Sequence, residues 1–160
     1  MRPEADEAGA GRVLAIDWGT KRFGVALSDP TRLIAQPLTT LTRRAGRRPP
    51  IREILELITR HAPSLVVVGL PLSPEGEEGD AAGEVRALGD AVARRSGVPV
   101  VYWDERLSTA AALRSARAAG VRDRDSRGRI DQMAAAQILQ HYLDARRAAG
   151  TEAPRHGGAE

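Results

Sequence analysis

The stretch "LVVVGL" at residues 65 to 70 constrains the fold most: six residues without a charge and without polar alternation, too short for a helix of ordinary length. A strand of this kind is buried on both faces, and layers that bury both faces of a sheet are made of helices. The flanking sequence supplies them. "PPIREILELITRHA" sets Ile51, Ile54, Leu55 and Ile58 at helical spacing behind a proline start. Residues 80 to 96 carry Val85, Leu88, Ala91 and Val92 along one stripe, and "GVPVVYW" then reads as a second buried strand.

Upstream of this unit the period is two. "RVLAIDW" and "FGVALSD" are separated by "GTKR" and read as an antiparallel hairpin, and "RLIAQPLTTL" adds a third strand after the Asp29-Pro30 turn. Downstream, Ser108 suits the N-cap of a helix over 109 to 119 ended by Gly120, and "IDQMAAAQILQHYLDARRAA" predicts a long alanine-rich helix with Asp131 in its first turn. The order βββαβαβαα predicts an α/β fold. Right-handed crossovers place the strands in the order 3-2-1-4-5, a five-stranded mixed sheet flanked by helices.

With 160 residues the chain is long enough for one domain with a sizeable core. The expected organisation is an N-terminal tail over 1–11, a single domain over 12–147 and a C-terminal tail over 148–160, both tails disordered. The absence of cysteine excludes disulfides, thiolate catalysis and zinc-finger spacing, and no apolar run is long enough to span a bilayer. A cytoplasmic protein with no membrane partner is expected.

The two tails together carry −3, so residues 12–149 carry +6 of the net +3. Five arginines fall between 43 and 52 (Arg43, Arg44, Arg47, Arg48 and Arg52), and four between 122 and 129 (Arg122, Arg124, Arg127 and Arg129). Such clusters suit phosphate contacts, although solvated loops are as good a reading of each. Lys21, the single lysine, and Arg22 stand at the predicted hairpin tip, and Arg106 follows the second buried strand.

Ligands in open α/β sheets bind beyond the carboxyl ends of the parallel strands. Here those ends carry Asp17 and the Asp104-Glu105 pair, and a return of the chain after residue 120 brings Asp131 to the same edge. Asp17 as a turn acceptor and Asp131 as a first-turn acid are the plainer alternatives. Glu105 is favoured over Asp104, which alternates to the other face. Clustered carboxylates repel unless a cation neutralises them, and hard oxygen donors select Mg²⁺ or Mn²⁺. Two such ions could activate water and stabilise the leaving oxygen of a phosphodiester, which predicts a nuclease. With aromatics at 3%, recognition by backbone and shape suits the chain better than base stacking on Trp18 or Trp103.

Four blocks, "AIDWGTKRFGVALSD", "VVVGLPLSPEGEEG", "VVYWDERLST" and "IDQMAAAQILQHYLD", resemble those of the YqgF family, also called RuvX, across residues 12 to 147. The resemblance implies an RNase H-like, RuvC-like nuclease of ribosome biogenesis that processes the 5′ end of pre-16S rRNA, with Holliday junction resolution as the alternative. It carries the family's acids onto Asp17, Glu105 and Asp131 as catalytic metal ligands. Trp18, Ser73 and Gln132 depart from its usual pattern, and Gln132 removes one positive charge beside the site. Precursor rRNA is the favoured partner ahead of branched DNA, ribosomal particles are a further one, and monomer and homodimer both remain open. Two other classes compete. "IDWGT" also resembles the phosphate hairpin of actin-like ATPases and sugar kinases, and a non-catalytic RNA-binding assembly factor would keep the acids for metal-dependent folding.

Overall fold

The computed structural model describes residues 10–19, 21–43, 48–107, 110, 112–113 and 124–152. Five strands form one sheet: β1 (Val13–Asp17), β2 (Arg22–Ser28), β3 (Ala35–Thr42), β4 (Leu65–Leu70) and β5 (Val100–Asp104). Their order is β3-β2-β1-β4-β5, as the crossover rule predicts. β1 and β2 pair antiparallel with Asp17 opposite Gly24, and β4 joins β1 in parallel with Ile16 opposite Val68.

β1 is central and buried along its whole length, so both of its faces are covered. One face, through Leu14, Ile16, Phe23, Val25, Val66 and Val68, packs on two helices, α1 (Ile51–His61) and α2 (Asp80–Ser96). The other face, through Val13, Ala15, Ala26, Leu65 and Val67, packs on a third, α3 (Arg124–Glu152). The α3 side chains that meet the sheet include Ala134, Ala135, Ile138 and Leu139. Alanines at the contact let the helix lie close to the strands. Burying each of the larger side chains contributes roughly 1.5–3 kcal/mol.

Local chemistry sets the boundaries. α1 starts behind Pro50 and ends at Ala62, which takes the left-handed conformation (φ 48°) that glycine more often fills. α2 ends at Gly97 in the same region. Between β2 and β3, the Asp29 carboxylate accepts the backbone N–H groups of Thr31, Leu33 and Ile34, which hold its pKa far below the usual carboxylate range. Gln140 ties α3 to the start of β3, accepting from the Ala35 N–H and donating to the Leu33 carbonyl.

α3 departs from expectation at its start. It begins at Arg124 rather than near Ile130, which makes Asp131 its eighth residue and removes the first-turn reading of that acid. Residues 124–129 include Asp125, Ser126 and Gly128, poor helix formers that hide the extension in the sequence. A tertiary contact outweighs them, since the Thr40 hydroxyl donates to the Gly128 carbonyl at 2.6 Å. Ala110, Ala112 and Leu113 are helical, while Ser108, Gly120, Arg122 and the rest of the helix expected over 109–119 lie outside the described residues. The helix at the C-terminal end continues to Glu152, past the boundary expected at residue 147. Among the described residues, no helix is long and apolar enough to cross a membrane.

Candidate active site

Alternation along β1 decides where Asp17 points. Val13 and Ala15 face α3, so Asp17 does too, and it is buried to 2% exposure at the strand's carboxyl end. Its partner across the ladder, Gly24, shares that face. Directly above Gly24 runs the backbone of Asp131: a Cβ on Gly24 would lie 1.9 Å from the Asp131 carbonyl oxygen. Asp131, 3% exposed, is thus packed onto β2 beside the strand that bears Asp17, because opposite residues in such a ladder are only about 4.5–5.5 Å apart.

The third acid approaches from the other side of β1. Gly69 on β4 faces α3 in alternation with Leu65 and Val67, and a Cβ there would lie 3.8 Å from Glu105 Oε2 and 2.8 Å from Ile138 Cδ1. Two strand glycines, one on each neighbour of β1, therefore make room for α3, Gly24 for its backbone and Gly69 for the Ile138 side chain. Asp104 does not share this face. It alternates with Tyr102, which packs toward α2, and it is tied by Arg106. Arg106 donates through Nε and Nη2 to Asp104 and through Nη1 to the carbonyls of Ser73 and Pro74. Those hydrogen bonds hold the Asp104 carboxyl below its ordinary range and clamp the 71–79 loop to the 3₁₀ turn Glu105–Leu107.

Buried carboxylates need countercharge. The Asp131 Oδ2 accepts the Arg22 Nε–H at 2.8 Å, with the two side chains 4% and 15% exposed. Among the described residues, no three acid, histidine or cysteine side chains stand close enough as they lie to hold a metal ion. The donor set nevertheless fits a hard divalent cation: three carboxylate residues on one face, two of them buried, with no sulfur ligand among them.

The predicted phosphate contacts separate into several environments. Lys21 is exposed at the hairpin tip, and Arg48 and Arg129 are exposed. Arg22 is engaged by Asp131 and Arg106 by Asp104, so each has an intramolecular task. Arg43 stacks over the rings of Trp18 and Phe23, at 4.7 and 5.1 Å from their centroids, on the face away from α3. It borders a cleft of about 330 Å³ with Trp18, Pro49, Glu84, Ala87 and Leu88. Arg127 is half-buried, and its Nε has no hydrogen-bond partner among the described residues. Arg44 and Arg47 lie outside the described residues, as does the side chain of Arg124. Trp103 packs against α3, donating its indole N–H to His141 Nδ1 at 3.0 Å, and Trp18 packs on Phe23.

The Arg22–Asp131 pair, bridging residues 109 apart, and the structural task of Arg106 were not anticipated from the sequence. For Gly24 a signal existed, since glycine inside a strand marks close approach of another backbone.

A mixed sheet in this order, with acids on one face at the ends of its parallel strands, defines a RNase H-like domain of the RuvC kind. The solved structure of Thermus thermophilus RuvC in complex with a Holliday junction substrate shares this fold, with a TM-score of 0.51, 21% identity, and coverage of 86% of this chain and 96% of that one. A family model described as "RuvX: Holliday junction resolvase" matches residues 11–145, and the chain belongs to the RuvX family. Among its curated relatives, a protein of Mycobacteroides abscessus named "Putative pre-16S rRNA nuclease" is 45% identical, over 94% of this chain and 92% of its own length. A relative of the same name from Roseiflexus sp. is 43% identical, over 86% of this chain and 96% of its own length.

Proposed function

We propose that this protein is a divalent-metal-dependent endonuclease that hydrolyses phosphodiester bonds during 5′-end maturation of pre-16S rRNA. The observation that supports the reading is that buried Asp17 at the carboxyl end of β1 is flanked by the Asp131 backbone packed on Gly24 of β2 and by Glu105 Oε2 beside Gly69 of β4, at the end of the sheet where such folds act. The curated relatives, matched over nearly their whole length, supply the substrate.

Asp17, Glu105 and Asp131 would hold Mg²⁺ or Mn²⁺, which would supply an activated water and charge stabilisation for the leaving oxygen. The fixed strand end orients Asp17, and the 3₁₀ turn clamped by Arg106 presents Glu105 from the far side. Lys21 and Arg129, both exposed and each within two residues of the Arg22–Asp131 pair, offer charge to the phosphate backbone.

The experiment is cleavage of a precursor 16S rRNA and a synthetic four-way junction by the purified protein with Mg²⁺ or Mn²⁺. The control is the triple variant Asp17→Asn, Glu105→Gln, Asp131→Asn. Acid-dependent cutting of the RNA is expected. The family description favours a second reading, junction resolution, which acid-dependent preference for the DNA would establish. Resolution needs two sites about a two-fold axis, so a stable homodimer would accompany it.

A further inference from the structure

Two arginines of the site are held in opposite ways. Arg106 spends Nε, Nη1 and Nη2 on the protein's own oxygens. Within the described residues the Arg22 side chain makes one hydrogen bond, from Nε–H to Asp131 Oδ2 at 2.8 Å, and its terminal nitrogens make none there. The first arrangement is that of a structural clamp. The second is one-armed, and a bidentate fork, the strong mode of arginine–carboxylate pairing, is not made.

The oxygen that Arg22 occupies belongs to the acid proposed as a metal ligand. Arg22 begins β2 and points, in alternation with Gly24 and Ala26, onto the face that carries Asp17 and Asp131. A carboxylate as buried as Asp131 needs a positive neighbour whether or not an ion is present. A guanidinium and a divalent ion drawn to the same carboxylate repel each other, so the binding of one weakens that of the other.

We propose that Arg22 is a displaceable placeholder: it neutralises and positions Asp131 in the metal-free protein and yields that carboxylate when a divalent cation binds, leaving its guanidinium beside the substrate's phosphate. This inference rests on the metal-dependent reading above. It makes ion and arginine competitors for Asp131, and it makes nucleic acid and ion cooperative, because the arginine released by one is a ligand for the other.

The test is calorimetric titration of Mn²⁺ into the full-length protein without nucleic acid. Arg22→Gln is expected to bind Mn²⁺ at least about tenfold more tightly than the wild type, a shift of one decade in Kd. Lys21→Gln, which removes the adjacent exposed charge, is expected to change Kd less than about threefold, separating pairwise competition from the general field. Combining Arg22→Gln with Asp131→Asn should abolish the gain. Melting of metal-free Arg22→Gln should occur below the wild type and recover with Mn²⁺, which a purely structural arginine would not show. If Arg22→Gln does not fold, Arg22→Met, which keeps most of the apolar stem, reads the same change in Kd. An unchanged or weaker Kd in the arginine variants, or an equal gain in Lys21→Gln, overturns the placeholder while leaving the metal site intact. Wild-type protein that binds no Mn²⁺ in an Asp17- and Asp131-dependent way overturns both.

Discussion

The carbonyl of Asp131 occupies the space that a side chain on Gly24 would need: the nearest approach to a Cβ there is 1.9 Å, and the Asp131 carbonyl carbon follows at 2.4 Å. Neither atom can swing away, since both belong to the backbone of α3. Gly24→Ala must therefore push the helix off the sheet, at a cost of about 1–3 kcal/mol or more. Urea denaturation should show the loss. Gly83→Ala, exposed on α2 with nothing within 4 Å of its Cβ, should instead stabilise by about 0.5–1 kcal/mol.

Asp17→Asn keeps the size of a buried side chain while removing its charge. Cleavage should fall by roughly 1,000-fold with the circular dichroism spectrum unchanged. In the wild type, Mg²⁺ or Mn²⁺ should perturb tryptophan fluorescence through Trp18, the next residue along. The same titration curve in the variant would count against Asp17 as a ligand.

Arg106→Ala releases three oxygen-bearing partners at once, Asp104, Ser73 and Pro74. The turn bearing Glu105 loses its clamp. Cleavage should drop about 10- to 100-fold, as expected when a catalytic group is misplaced by an ångström or so. Global stability should change little, because the Arg106–Asp104 pair reaches solvent, with the arginine side chain 38% exposed. A large loss of stability with normal turnover would contradict this role.

Acid sensitivity follows from three depressed carboxyls. Arg106 lowers the pKa of Asp104, Arg86 that of Glu78, and the backbone of the turn that of Asp29. A carboxyl whose folded pKa is depressed contributes its stability fully above the unfolded value, about 4, and loses it as pH falls through the folded one. Stability attributable to these groups should hold from about pH 6 to 5 and decline below about pH 4. Denaturation midpoints across that range should fall less steeply in Asp104→Asn.

Much of this was legible because burial leaves a periodic trace. The unbroken apolar run of β4 announced a strand covered on both faces, and the hairpin-then-crossover order was enough to place all five strands. Alternation favoured Glu105 over Asp104 without deciding between them. What stayed hidden was non-local. The early start of α3 depends on Thr40 bonding Gly128, a contact that outweighs weak local propensity. The engagement of Arg22 by Asp131 and of Arg106 by the 71–79 loop has no counterpart in spacing or composition. Basic residues near a site look alike in a sequence, and only their partners distinguish a clamp from a contact surface.

The pairing of Arg22 with Asp131 spans nearly the entire domain. While the chain is being synthesised, the hairpin and β4 emerge long before α3 does. A nascent polypeptide on the ribosome thus carries Asp17 without its opposite acid. On the proposed site, cutting power would wait until α3 has emerged and settled on the hairpin.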